Sequence, residues 1–367
     1  MSEDSLERSA GARPARPARP ARPARARPGW RTVLGVIVAL DLIGAAVLAV
    51  VATAHHGTVL DCQTLTPPAS SQPVWGVAFS PDGRTLATEI GIYGRTDLWD
   101  AATGQRTATL RDPLTGGRAA AVAFSPDGTT LAILDGGQGA DLWDVATHRL
   151  RAALAKADDS ADSMAFSPDG RMLAVDGLHG DIALWDVANG HLVADLNNPS
   201  GYARISLAFA PGGQVLAAAD AGAKTDVWNG KTGRLIATLA TPDDVEGLAF
   251  SPNGRTLALA ELQGKVILLQ ATTWRPIGTL TAHGAGGIDA VAFSPDGRTL
   301  AVGTANGRVA IWDVATWRLI ATAVIPDGGT VTGVAFSPDS RMLAFGDSSV
   351  HAYLCPMSTA LIRPSAS

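Results

Sequence analysis

The feature that most constrains this chain is a pentad, Ala-Phe-Ser-Pro-Asp with small changes, written seven times on Phe79, Phe124, Phe166, Phe209, Phe250, Phe293 and Phe336. The intervals are 45, 42, 43, 41, 43 and 43 residues. A period in that range marks a repeat architecture, in which each copy needs its neighbours to bury its faces. Nineteen or twenty residues after five of the Phe comes Trp99, Trp143, Trp185, Trp228 or Trp312. Asp follows four of these Trp and Asn229 the fifth; Leu269 holds the equivalent place in the fifth unit and Cys355 approximately so in the seventh.

Each unit reads as four short strands, and the sixth shows the pattern. Asp289 to Phe293 is an apolar strand, and Ser294-Pro295-Asp296-Gly297 is a turn in which Pro presets φ and Gly supplies a positive one. Thr299–Val302, Val309–Trp312 and Arg318–Ala323 follow as strands, separated by Ala305-Asn306-Gly307 and Asp313–Thr316. The composition agrees: 40 Gly and 22 Pro against 17% charged residues favour many tight turns over long surface helices. The Ala before each Phe suits a face where sheets pack closely.

The seven Phe, the Ser-Pro-Asp-Gly turns at 80–83, 125–128, 167–170 and 294–297, and the Trp-Asp pairs resemble the WD-repeat (Trp-Asp repeat) β-propeller family over about residues 58–367. The resemblance implies an all-β, seven-bladed β-propeller of four-stranded antiparallel blades. It also implies a docking function on the rim formed by the inter-blade connections and the loops between second and third strands. Tyr93, Arg95, Arg118, Tyr202 and Arg204 are the candidate anchors there, Tyr and Arg being favoured at interfaces. Two departures stand out. Only Ala282-His283-Gly284 approximates the family's Gly-His dipeptide, and Asn306 stands where its hydrogen-bonded set would want Asp, so the internal networks are fewer and His283 reads as a loop residue. Trp274 and Trp317 are expected at the opposite rim, covering apolar blade ends.

Propellers of this family close by building one blade from both chain ends. Aligning Thr64-Leu65 with Thr238-Leu239 makes Val59–Leu65 a fourth strand, expected beside the strand that contains Cys355. The same alignment sets Cys62 on Ile320 and Cys355 on Trp312, nearly opposite across a hairpin. The chain's two cysteines are therefore a candidate disulfide, with two unpaired apolar residues as the alternative.

The first 54 residues read as an address and an anchor. Residues 1–32 carry eight Arg and three acids in an Ala-Arg-Pro-rich run, expected to be a disordered cytoplasmic tail that could contact anionic lipid. Residues 33–54 contain one charge, Asp41, and are long enough for one transmembrane helix. Arg on the N-terminal side places the N-terminus in the cytoplasm and residues 55–367, the propeller, outside it. Asp41, Ala45 and Ala49 form a small, polar-centred stripe, a candidate face for another membrane helix. The competing reading is a signal peptide cleaved after Ala54, which leaves a secreted propeller.

Chemistry is sparse. The seven His form no metal-ligand spacing, and neither a nucleophile elbow nor a phosphate loop occurs. No cofactor, metal or catalytic residue is expected. Beyond residue 54 there are 21 basic and 30 acidic residues, a balance of −9 that argues against nucleic acid as partner. The sequence therefore reads as a membrane-anchored, extracytoplasmic protein-interaction scaffold with unidentified protein partners. The alternative is a propeller enzyme or small-ligand sensor that uses the mouth of the central channel. The Arg-heavy, Lys-poor composition suggests a bacterial source.

Overall fold

The computed structural model describes residues 58–66, 72–91, 95–111, 121–134, 139–155, 161–177, 180–197, 204–282, 286–326 and 328–357. Seven antiparallel sheets of four strands follow one another. Blades 1 to 6 cover residues 74–111, 122–155, 164–196, 204–240, 245–281 and 288–324. Blade 7 takes Val331–Phe336, Met342–Asp347 and Ala352–Pro356 from the C-terminal end and Gln63–Leu65 from the N-terminal end. Blade 6 has the expected strands, as Ile288–Phe293, Thr299–Thr304, Arg308–Asp313 and Arg318–Val324.

Register follows the repeat. Each pentad Phe pairs with a Leu of the second strand, and that Leu pairs with the Trp position of the third: Phe79 to Leu86 to Trp99 in blade 1, Phe293 to Leu300 to Trp312 in blade 6. In blades 1 to 6 a bulge opposite that third-strand position adds one unpaired residue to the fourth strand. The bulged residues are Thr107, Arg151, Val193, Ile236, Ile277 and Ile320.

The apolar core is divided into seven clusters, and each lies between consecutive blades. Between blades 1 and 2, for example, Ala87, Leu98 and Leu110 meet Val122, Leu131, Ile133 and Trp143. The pentad places one residue on each side: Phe79 packs toward blade 7, whereas Ala78 packs toward blade 2. A buried Leu contributes roughly 1.5–3 kcal/mol, so cohesion comes from blade-to-blade contact more than from within a sheet.

The pentad turn is locked by its own side chains. Ser80 Oγ donates to Asp82 Oδ1 at 2.6 Å, Arg84 N donates to the same oxygen at 3.0 Å, and Thr85 N donates to Ser80 Oγ at 2.9 Å. The Ser80 hydroxyl and the Arg84 amide hold the Asp82 carboxyl below its usual range. Gly83 has φ +72°, and a Cβ there would lie 3.5 Å from Pro338 Cδ of blade 7. The same Gly-on-Pro relation links Gly128 to Pro81, Gly170 to Pro126, Gly213 to Pro168, Gly254 to Pro211 and Gly297 to Pro252. Blade 7 substitutes Ser340, at φ +59°, whose Oγ accepts from Asp296 N at 3.0 Å. The first strand of blade 7 then closes on blade 1, where Thr332 Oγ1 donates to the Val74 carbonyl. The ring is thus complete.

A four-strand meander puts its first and third turns at one end and its middle loop at the other. All pentad turns and Trp-Asp turns therefore share one face, here the turn face. The second-to-third-strand loops and inter-blade connections share the opposite loop face.

The N-terminal closing strand is shorter than Val59–Leu65. Only Gln63–Leu65 pairs with Ala352–Pro356, while Thr58–Val59 runs parallel to the outer strand of blade 6, with Thr58 opposite Ala321. The cause is Leu60, which turns into the apolar wedge between blades 6 and 7 while its amide donates to Thr322 O at 3.1 Å. One segment thereby joins two blades. Cys62 and Cys355 are disulfide-bonded, with S–S 2.02 Å. Residues 1–57 lie outside the described residues, and with them the tail, the 33–54 span and its Asp41, Ala45 and Ala49. Among the described residues no helix is long and apolar enough to cross a membrane.

Candidate functional site

First strands line the central channel, and the position four residues before each pentad Phe sits at its loop-face mouth. Trp75, Asp162, Glu246, Asp289 and Thr332 occupy it in blades 1, 3, 5, 6 and 7, around a cavity of about 230 Å³. The next position must be small because the following blade passes close by. A Cβ on Gly76 would lie 3.3 Å from Ala121 Cα, and one on Gly333 would lie 3.4 Å from the Trp75 carbonyl. Ser163 and Ser206 use this place to accept the Leu207 and Leu248 amides of the next blade, at 2.9 and 3.2 Å.

Three carboxylates thus face one opening, and among the described residues no Lys or Arg lines it. Burial, then the neighbouring Asp289, Asp244 and Asp243, pushes the Glu246 carboxyl above its usual range; burial does the same to Asp289. Asp243 Oδ2 and Glu261 Oε1 are buried without a hydrogen-bond partner, and burial followed by the charge of Asp243 raises Glu261. Asp176 Oδ1 accepts from Asp162 N and Ser163 N, both at 2.9 Å, and so fixes the segment that carries Asp162 into the first strand of blade 3. Burial raises Asp176 to about 8. The mouth is therefore a focus of negative potential suited to a cation, and its cavity is below the size usual for drug-like ligands. No group of three or more His, Cys, Asp or Glu among the described residues is arranged to hold a metal ion.

Tyr93, Arg118, Tyr202 and His283 lie outside the described residues. Arg95 is bound within blade 1, its Nη2 2.6 Å from Asp97 Oδ2, beside the buried Glu89. Arg204 opens the first strand of blade 4, opposite Asp220. Trp274 and Trp317 occupy left-handed turn positions, at φ +59° and +54°, and pack on the clusters between blades 4 and 5 and between blades 5 and 6. Asp243 and Asp244 are half-buried, and their charges act on Glu246 at the mouth. Trp75, Asp162, Glu246, Asp289 and Thr332 were missed, yet aligning residues four before each Phe selects them.

The depleted internal networks are also visible. Trp99 Nε1 donates to Thr88 Oγ1 at 2.8 Å in blade 1, whereas Trp143 Nε1 and Trp312 Nε1 are buried without a partner. The residue equivalent to Thr88 is Ile133 in blade 2 and Val302 in blade 6, neither of which can accept.

Comparison with known families gives two matches. The model described as "WD domain, G-beta repeat" matches residues 51–91 and 274–313. The second span begins in the turn just before the outer strand of blade 5 and ends in the third strand of blade 6, so the sequence repeat straddles two blades. The model described as "Eukaryotic translation initiation factor eIF2A" matches residues 77–232. No curated protein matches the chain.

Proposed function

The chain is a WD-repeat β-propeller, and from that premise we propose that it serves as a membrane-anchored, extracytoplasmic scaffold that docks a basic protein segment at the loop-face mouth of its channel. The observation that carries this reading is the set of Asp162, Glu246 and Asp289 at one structural position around a single opening. A Lys or Arg side chain of a partner would neutralise carboxylates that repel one another when the mouth is empty. Trp75 offers an aromatic wall to the same side chain. Anchoring by residues 33–54 is supported by their length and by the Arg that precede them. An extracytoplasmic setting agrees with a disulfide, which persists where the medium is oxidising.

Crosslinking the full chain in its membrane, followed by identification of the attached protein, tests the reading. Glu246→Lys with Asp289→Lys is expected to abolish the crosslink. Equal recovery with the double variant removes the mouth from the docking surface. A second reading, a sensor of a small organic cation, draws on the same convergence of carboxylates, of which burial raises Glu246 and Asp289. Calorimetry with a small amine and with a Lys-containing peptide separates the two, since only the peptide gains from contacts beyond the mouth.

A further inference from the structure

The turn face carries a second charged feature, of opposite sign. Most blades balance this face, with an Asp in the pentad turn and an Asp after the Trp: Asp82 and Asp100 in blade 1, Asp127 and Asp144 in blade 2, Asp169 and Asp186 in blade 3, Asp296 and Asp313 in blade 6. Blades 4 and 5 lose all four. Gly212 and Asn229 stand in blade 4, and Asn253 and Gln270 in blade 5. The cations stay: Lys231, Arg234, Arg255 and Arg275 are all exposed, and the turns that hold them contain no carboxylate.

The same sector exposes apolar side chains. The bulged residues Ile236 and Ile277 are 49% and 52% exposed, and Leu235, beside Ile236, is 39% exposed. An open hollow of about 560 Å³ lies against Asn229, Thr232, Arg234, Leu235 and Ile236. In blade 6 the equivalent bulged residue, Ile320, is packed against the cluster containing Leu60 and is not left exposed. Blades 1 and 2 put Thr107 and Arg151 there, and blade 3 exposes Val193 at 59% but keeps Asp169 and Asp186 in its turns. Exposed aliphatic side chains ringed by Lys and Arg without acids are the composition of an interfacial membrane contact.

The chain joins the ring from the same face. Thr58–Val59 runs parallel to Arg318–Val324, which leads away from the turn face, so the chain enters at the turn-face end of blade 6, next to blade 5. Only residues 55–57 separate Thr58 from the apolar segment that ends at Ala54, a reach of about 10 Å.

We propose that the turn-face edge of blades 4 and 5 (Lys231, Arg234, Leu235, Ile236, Arg275 and Ile277) rests on the anionic headgroups of the bilayer that the chain's own N-terminal segment crosses. The proposal rests on the anchored reading given above. It assigns the two faces of the ring opposite tasks: the basic sector of the turn face is held to lipid, and the acidic mouth on the loop face is presented away from it. The overall balance of −9 weakens binding to any extended polyanion, but it acts on this local contact only through charges within about 8 Å at physiological salt, and the turns of this sector hold four cations and no carboxylate.

The test compares amide hydrogen exchange of the full chain in nanodiscs of pure phosphatidylcholine and of phosphatidylcholine with 30% phosphatidylglycerol, while resistance to alkaline carbonate extraction reports the anchor separately. Slower exchange at 231–237 and 274–278 in the anionic discs alone, abolished in a Lys231→Glu, Arg234→Glu, Arg275→Glu variant, is the expected result. Carbonate-resistant chain with no change at these amides overturns the lipid contact and leaves the anchor standing. Equal protection on both lipids overturns recognition of anionic headgroups. Should carbonate extract the chain, flotation with anionic vesicles that falls about fivefold for each neutralised cation supports the patch without the anchor, and no flotation overturns it. Protection by polyglutamate in detergent as strong as that by phosphatidylglycerol reassigns the patch to an acidic polypeptide and overturns the proposal.

Discussion

Cys62 and Cys355 stand 293 residues apart in the chain and are covalently joined, with their Cα atoms 4.2 Å apart. Cys355 lies on the third strand of blade 7 and Cys62 immediately precedes the N-terminal strand that pairs with it, so the bond closes the ring where the polypeptide itself does not.

Removing that bond should loosen the whole ring. On the chain-entropy model, closing a loop this long stabilises by about 5 kcal/mol. Cys62→Ala with Cys355→Ala is expected to lower the urea midpoint to the value that reduction gives the parent chain. Two free thiols counted in the denatured, unreduced protein would contradict the bond.

The unpaired indoles are repairable. Val302→Thr is nearly isosteric and places a hydroxyl where Thr88 meets Trp99, within reach of Trp312 Nε1. A gain of about 0.5–1.5 kcal/mol in denaturant unfolding is expected, since a buried orphan donor acquires an acceptor. Thr88→Val should cost a similar amount by orphaning Trp99.

Burial raises Glu89 to about 8, against hydrogen bonding from Thr96. A carboxyl whose folded pKa exceeds its unfolded one binds more protons in the folded state. Its contribution to stability is greatest below the unfolded value, near 4.5, and is lost as pH rises through about 8. Stability should therefore fall by up to about 1.4 kcal/mol per pH unit in that window for this group. Glu89→Gln is expected to flatten the slope measured by urea midpoints at pH 5.5 and 8.5; an unchanged slope contradicts the assignment.

Ser340 occupies a left-handed turn position while accepting the Asp296 amide of the neighbouring blade. Ser340→Ala keeps the backbone conformation and loses the bond, so a cost of about 1 kcal/mol is expected. Ser340→Gly loses the same bond but relieves the φ strain, and should fall within about 0.5 kcal/mol of the parent. Thermal unfolding of the pair separates the two effects.

Strand positions, the mixed-origin blade and the pairing of Cys62 with Cys355 were legible because the repeat supplies seven aligned copies, and register follows from alignment alone. The parallel course of Thr58–Val59 was not, because Thr, Val and Leu suit either edge and only the wedge that receives Leu60 decides. The carboxylate mouth escaped notice because Asp162, Glu246 and Asp289 lie in separate units, more than 40 residues apart, and ring closure alone brings them together. The basic sector is a pattern of missing Asp at Gly212, Asn229, Asn253 and Gln270, and becomes meaningful once one face is known to hold all four turns.

Every apolar cluster is shared by two neighbours, and none belongs to a single sheet. The N-terminal and C-terminal parts of the ring pair as strands inside blade 7 and at none of these seams. A circular permutant opened between blades 3 and 4, with the present ends fused, would keep all seven wedges, whereas excising one blade would strip the apolar flank from each of its neighbours. What this chain inherits, duplicates or loses as a unit is therefore the joint between two sheets.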